Sequence, residues 1–290
     1  MTPTTEAKQT SQKAGGPKGP PLSQRQIYDK KARARAIRVA GVSTLIVVGL
    51  LCFIVPRAPG WELVKNSFFN WEILTSTFPK LLEAFLIDVM IFAWCAPAIL
   101  IFALLIALAR GVTTPSLFPL RLFAILFTDV MRSVPIILTV YIVGFGVPGL
   151  GLSPPWNSPY IWGSVALILT YSAYMAEVYR AGIESIHRSQ TAAAHSLGLT
   201  QSATLRFVVL PQALRRVGPA LMNFLISLQK DVALLSFIGP IELMRQANVY
   251  KSLYANFTPY VGAAIIFMCI TIPATRLTDY LVAKQNAERS

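Results

Sequence analysis

Six apolar stretches, each close to or beyond the length that a helix needs to cross hydrocarbon, leave this chain few architectures. At about 1.5 Å of rise per residue, one crossing takes about 20 apolar residues. The stretches cover approximately residues 37–55, 78–109, 117–146, 161–181, 214–238 and 259–282. Apolar residues make up 54% of the 290, charged residues only 13%, and the mean hydropathy is +0.55, so lipid rather than water must surround most of the chain. The expected fold is all-α, a polytopic transmembrane bundle of about six helices.

The formal charge of +13 raises the question of nucleic acid. Its distribution answers against it, because the basic residues gather near the ends of the apolar stretches instead of interleaving with aromatics. Residues 1–36 carry Lys8, Lys13, Lys18, Arg25, Lys30, Lys31, Arg33 and Arg35 among Gly, Pro, Ser and Gln, which reads as a disordered basic cytoplasmic tail. It is followed by a span at 37–56 that lacks a small-residue cleavage site, so a secretory leader is not the reading. With the tail inside, Arg110, Arg121, Arg180, Arg188, Arg206, Arg215, Arg216, Arg276, Lys284 and Arg289 are all cytoplasmic. Only Arg57, Lys65, Lys80, Arg245 and Lys251 fall outside. The asymmetry predicts six crossings, a multi-pass protein with both termini cytoplasmic, and membrane lipid as its surroundings.

Several features read as structural. Cys52, Cys95 and Cys269 sit inside apolar runs without metal or disulfide spacing. Trp61, Phe68, Phe69 and Trp71 suit an aromatic belt at the outer interface, and the uncharged, Gly- and Pro-rich residues 146–159 suit a compact turn. His187 and His195 lie eight apart, too far for metal ligation from adjacent helical turns.

The connection at about 183–210 is too polar to cross a membrane yet patterned like a helix. Ile186, Ala193 and Leu197 fall at spacings of seven and four, on one helical face. Gly198 suits a C-terminal stop at positive φ, and Thr200 can cap a second short helix toward Pro211. Ala192, Ala193 and Ala194 remove side-chain bulk, so another protein can approach the backbone. The pattern predicts a docking hairpin; an interfacial helix lying on lipid would need larger apolar anchors.

At this loop the sequence resembles the inner-membrane permeases of ABC importers, whose signature is Glu-Ala-Ala, three residues, Gly, nine residues, Ile-x-Leu-Pro. Ala193, Ala194, Gly198, Val208, Leu210 and Pro211 stand at the matching places, with Ala192 where the family usually has Glu. Tyr174-Met-Ala-Glu-Val-Tyr-Arg-Ala-Gly-Ile183, Leu210-Pro-Gln-Ala-Leu-Arg-Arg216, Ser227-Leu-Gln-Lys-Asp231 and Arg132-Ser-Val-Pro135 are similar to the polar amino acid branch, the histidine/glutamine/arginine type.

The resemblance covers about 78–284 and implies a five-helix importer domain, with the 37–56 helix as an addition. It also implies partners: two ABC ATPase subunits, a second permease subunit, identical or homologous, an extracellular or periplasmic solute-binding protein, and an amino acid substrate, all at a bacterial inner membrane. Nothing here fits Gly-x-x-x-x-Gly-Lys-Ser/Thr, so the chain is not expected to be an enzyme. ATP and Mg would sit on the partner ATPase, with no cofactor and no metal in this chain. Residues Ala192, Ala193, Ala194, Leu197, Gly198 and Pro211 are the expected coupling surface.

Charged groups within hydrocarbon face a bundle interior or a partner. Arg132, Glu177, Lys230 and Asp231 are therefore the expected substrate pathway, with Arg132 able to grip a carboxylate and Glu177 an ammonium. The plainer alternative pairs Asp129 with Arg132, and Glu177 with Arg180, on single helix faces. Other functions need other marks. An ion-gradient-driven transporter would carry internal repeats and interrupted helices, and a membrane enzyme a His-Glu-x-x-His or a nucleophile with its base. An ABC permease for an opine or related zwitterion would share the same loop.

Overall fold

A computed structural model of the chain describes residues 24–112 and 114–287. Two units divide it, residues 1–62 and 63–290. Most of the basic tail lies outside the described residues, but its last part does not. Helix α1 runs Gln24–Ile54, so the helix of the first unit begins ahead of the expected boundary near residue 37. A short 3₁₀ turn, Val55–Arg57, ends it. There the Arg57 guanidinium lies 3.6 Å from the centroid of the Phe53 ring and donates to the Phe53 carbonyl at 2.8 Å.

The second unit is all helix among the described residues. After the short α2 (Trp61–Phe68) come α3 (Trp71–Arg110), α4 (Phe118–Ser133), α5 (Ile136–Gly146) and α6 (Pro159–Glu184). Then follow α7 (Arg188–Ser196), α8 (Gln201–Thr204), α9 (Leu210–Asp231), α10 (Leu243–Tyr254) and α11 (Thr258–Ala287). Five stretches are long and apolar enough to span: Arg35–Arg57, Trp61–Arg110, Pro159–Glu184, Gln201–Ile238 and Thr258–Lys284. A sixth is reached only if α4 and α5 count as one.

That pair corrects the sequence reading of 117–146 as one straight helix, since the two halves meet at 108°. Pro135 is the cause. Its ring pushes the preceding residue out of the helical region, and Val134 is extended at φ −95°, ψ 130°. The backbone stays satisfied: Val134 N–H donates to Val130 O, and Pro135 O accepts from Leu138 and Thr139.

Three further boundaries differ from expectation. Helix α3 starts at Trp71 rather than near residue 78, because the Asn70 side chain caps it by accepting from Ile73 N. Helix α9 stops at Asp231, and Val232–Ile238 tightens into a 3₁₀ segment. A loop expected around Arg245 and Lys251 is the helix α10, capped by Glu242.

The core forms around α6, which packs on α3, α4, α5 and α9. It can do so because its buried positions are small where neighbours approach: Gly163, Ser164, Ala166, Ser172, Ala173, Ala176 and Gly182. At Gly163 an added Cβ would stand 2.8 Å from both Leu235 and Ile238, so the 3₁₀ segment lies directly on the α6 backbone. At Gly182 it would stand 2.2 Å from Val217 Cγ1, which fixes α6 against α9 just before the polar loop.

Gly182→Val therefore overpacks this contact. We expect a loss of about 1–3 kcal/mol, read as a lower midpoint of thermal unfolding in detergent, whereas Gly60→Ala, with open space around it, should leave the midpoint unchanged.

Candidate functional site

The loop between α6 and α9 is a stiff hairpin. The chain leaves α6 through Ser185, Ile186 and an extended His187 (φ −63°, ψ 138°), which caps α7: its Nδ1 accepts from Ser189 N at 3.2 Å. At the other end of α7, Leu199 N donates to Ala194 O and Gly198 N to His195 O, the paired bonds of a Schellman stop. Gly198 takes the left-handed conformation this needs, φ +81°. Thr200 then caps α8, its hydroxyl accepting from Ala203 N at 3.3 Å. The expected stop at Gly198 and cap at Thr200 are both present.

Helix α8 runs on through one widened turn, Leu205–Val209, into α9. Pro211, which lacks an N–H, follows that turn in the first positions of α9.

Two sets of contacts tie the hairpin to the bundle. Ile186, Val209 and Ala213 are buried together, with Ile183 and Leu205 against them. Arg216 donates to the Ser185 carbonyl at 2.6 Å, and Gln212 to Gln190 at 3.4 Å. Of the coupling residues, Ala192, Ala193, Leu197, Gly198 and Pro211 are exposed and Ala194 is buried. Leu197 is 83% exposed. This changes the expected face: Ile186 points inward while Ala193 and Leu197 point outward. The extended His187 breaks helical phase between Ile186 and α7, so the spacing of seven does not carry across it.

The second cluster lies where α3, α4 and α6 converge. Glu177 of α6 accepts from Arg110 Nη1 at 3.0 Å and from Arg180 Nε at 3.0 Å, and Arg132 Nη1 stands 3.8 Å away. Arg180 also reaches Glu184 at 2.5 Å. The pairing of Glu177 with Arg180 is thus present, while Arg132 turns across to α6 rather than along its own helix to Asp129. Three guanidinium groups face two carboxylates, one of which, Glu184, is largely exposed.

Arg132 is the member left open, with its side chain 40% exposed. Its guanidinium lies 5.9 Å from the Tyr174 ring, and the Tyr174 hydroxyl donates to the Arg132 carbonyl at 3.3 Å. Tyr174 and Tyr171 both pack on Phe224, with centroids 6.4 and 6.5 Å away, and the Tyr171 hydroxyl donates to Asp231 Oδ2 at 2.7 Å. An aromatic track therefore links the cationic Arg132 to the acidic Asp231. Lys230 is exposed and is not in the track. Arg110 and Tyr174 were not among the expected pathway residues, and Tyr171 and Phe224 were not singled out in the sequence at all. Arg110 looks there like a topology marker at a helix end, and the aromatics look like core.

The family model described as "Binding-protein-dependent transport system inner membrane component" matches residues 73–286. The chain is 34% identical over 164 residues to the probable glutamine ABC transporter permease protein GlnM of Bacillus subtilis (strain 168), covering 56% of this chain and 74% of that one. It is 30% identical over 212 residues to the probable amino-acid permease protein YxeN of the same organism, covering 72% and 93%. A solved structure, described as an amino acid ABC transporter with histidines, is 28% identical with a TM-score of 0.67, covering 74% of this chain and 98% of that one.

Glu177→Gln would leave Arg110, Arg132 and Arg180 without their shared anion. Because these groups are half-buried rather than sealed, the expected loss is about 1–3 kcal/mol, seen as a lower thermal midpoint that Arg110→Gln in the same chain partly restores.

Proposed function

The chain belongs to the family of binding-protein-dependent transport system inner membrane components, and from that premise we propose that it is the permease subunit of an ATP-driven importer whose cargo is a polar amino acid. The observation that carries the reading is the capped hairpin. It presents a small-residue surface at Ala192 and Ala193 and an exposed Leu197, and the Ser185–Arg216 and Ile186–Val209–Ala213 contacts bind it to α6 and α9. A partner ATPase, holding ATP and Mg, would grip that surface, and its closure would move the hairpin as a lever. A nucleotide shifts the bundle between outward-open and inward-open forms only if the hairpin is held differently in the two nucleotide states.

The hairpin would face the cytoplasm at a bacterial inner membrane, with both chain termini on that side. A second permease subunit and an external solute-binding protein would complete the assembly. For a zwitterionic cargo the aromatic track offers both signs of charge. The open Arg132 would receive the carboxylate through paired hydrogen bonds, and Asp231 would attract the ammonium. Glu177 serves as the anchor that holds Arg132 in place. The amino acid names of the relatives, glutamine among them, agree with this substrate class.

Gly198→Val forces a β-branched side chain into a left-handed conformation, at about 1–2 kcal/mol, and loosens the Schellman stop. With the assembled transporter in liposomes, ATP hydrolysis should persist while uptake per ATP falls several-fold. Uptake should also survive collapse of the ion gradient while ATP remains. Full uptake by the variant would contradict the lever, and uptake that tracks the gradient instead of ATP would contradict the importer.

A further inference from the structure

Near the middle of α3, the Asp88 side chain meets the N-terminus of α10. Asp88 is 1% exposed and Glu242 0%, and the two carboxyl groups accept from adjacent N–H groups at the same helix end. Among the described residues the donors that reach them are three backbone N–H groups at the start of α10. Leu243 donates to Asp88 Oδ2 at 3.1 Å, Met244 to Glu242 Oε2 at 2.8 Å and Arg245 to Glu242 Oε1 at 2.8 Å. Asp88 Oδ1 is buried with no hydrogen-bond partner among the described residues.

The electrostatics of the surroundings do not balance two charges. No Lys, Arg or His forms an ion pair with either acid among the described residues. On α10, Arg245 is exposed and offers only its backbone. On α3, Lys80 is engaged with Glu83 at 2.7 Å and both are exposed. From α6, the Tyr160 hydroxyl accepts from Ile241 N, and from α11, the Tyr260 hydroxyl accepts from Asn248. The positive end of α10 offsets about half a charge. Two buried carboxylates at one helix end would leave the remainder unopposed, at a penalty that proteins avoid by holding a proton.

We propose that Asp88 and Glu242 form a proton-binding site, in which one shared proton supplies the missing donor between the two carboxyl groups and fastens α10 to α3. The geometry gives the proton its work. It turns two acceptors into a donor and an acceptor, leaves one negative charge for the helix N-terminus, and relieves the orphaned oxygen. When the proton leaves to bulk water, two buried anions remain, and the docking of α10 weakens. Burial first, and then the Asp88 charge, pushes the Glu242 carboxyl above the ordinary carboxylate range. For an acid raised in this way, the stabilisation is complete below the ordinary value of about 4.3 and is lost as pH rises through the raised one.

Infrared spectroscopy of the assembled transporter in lipid nanodiscs at neutral pH tests this. The wild type should show a protonated-carboxyl C=O stretching band that shifts in D₂O. Asp88→Asn should lose it, because the Asn amide donates to Glu242 and lets it ionise, and Glu242→Gln should lose it likewise. The thermal midpoint of the wild type should fall between about pH 5 and about pH 9, and that slope should flatten in Asp88→Asn. If one variant fails to assemble, the other and the wild-type band still decide. A wild type without the band, or a band that persists in either variant, overturns the shared proton.

Discussion

In hydrocarbon no water is present to satisfy a backbone N–H or C=O, and this constraint governs the structure. It accounts for the long helices and for the absence of strands among the described residues. Inside the bent span it explains why the break at Pro135 is locally repaired, and outside the spans the breaks at Gly198 and Glu242 are closed by local bonds as well. At Pro135 the carbonyl still accepts from Leu138 and Thr139, and at Gly198 the Schellman bonds take up the last carbonyls of α7. At Glu242 a side chain caps two N–H groups of α10 while Asp88 takes a third.

The residues proposed to carry function lie at or beside these breaks. Arg132 stands two residues before the 108° bend, with its Nη1 3.8 Å from Glu177 of α6. The extended His187 and the left-handed Gly198 mark off a helix small enough to serve as a contact piece, and the widened turn at Leu205–Val209 returns the chain to α9. The charge cluster at Glu177 and the Gly182–Val217 contact lie on the stretch of α6 that leads into this hairpin, so under the proposed lever a push on α7 would be passed to the same helix that carries Tyr171 and Tyr174.

Composition and periodicity made the class of fold and the hairpin legible, because apolar length is a direct consequence of bilayer thickness and because Gly198 and Thr200 are local conformational signals. The bend was less legible. Residues 117–146 are apolar enough on average to read as one span despite Arg121, Asp129 and Arg132, and hydropathy does not register that Pro135 acts on the conformation of Val134. The inward face of the hairpin was misplaced because helical phase was carried across His187, whose ψ only the structure reveals. Helix α10 escaped notice since its apolar stripe is short and its cap is a Glu rather than Ser, Thr or Asp. Asp88 lies inside the second apolar stretch but was not among the charged residues singled out there, since its partner is 154 residues away and no local pattern joins them.

The central claim is that the hairpin moves as one rigid piece with α6 and α9. Spin labels at the exposed Leu197 and Leu214, read by pulsed electron resonance in the assembled transporter, test it most directly. The account predicts one narrow distance distribution that is the same with and without ATP, while the distance between the Leu197 positions of two paired copies of the permease, or between Leu197 and its counterpart in a mixed pair, changes. A distribution from Leu197 to Leu214 that broadens or shifts when ATP binds would contradict it.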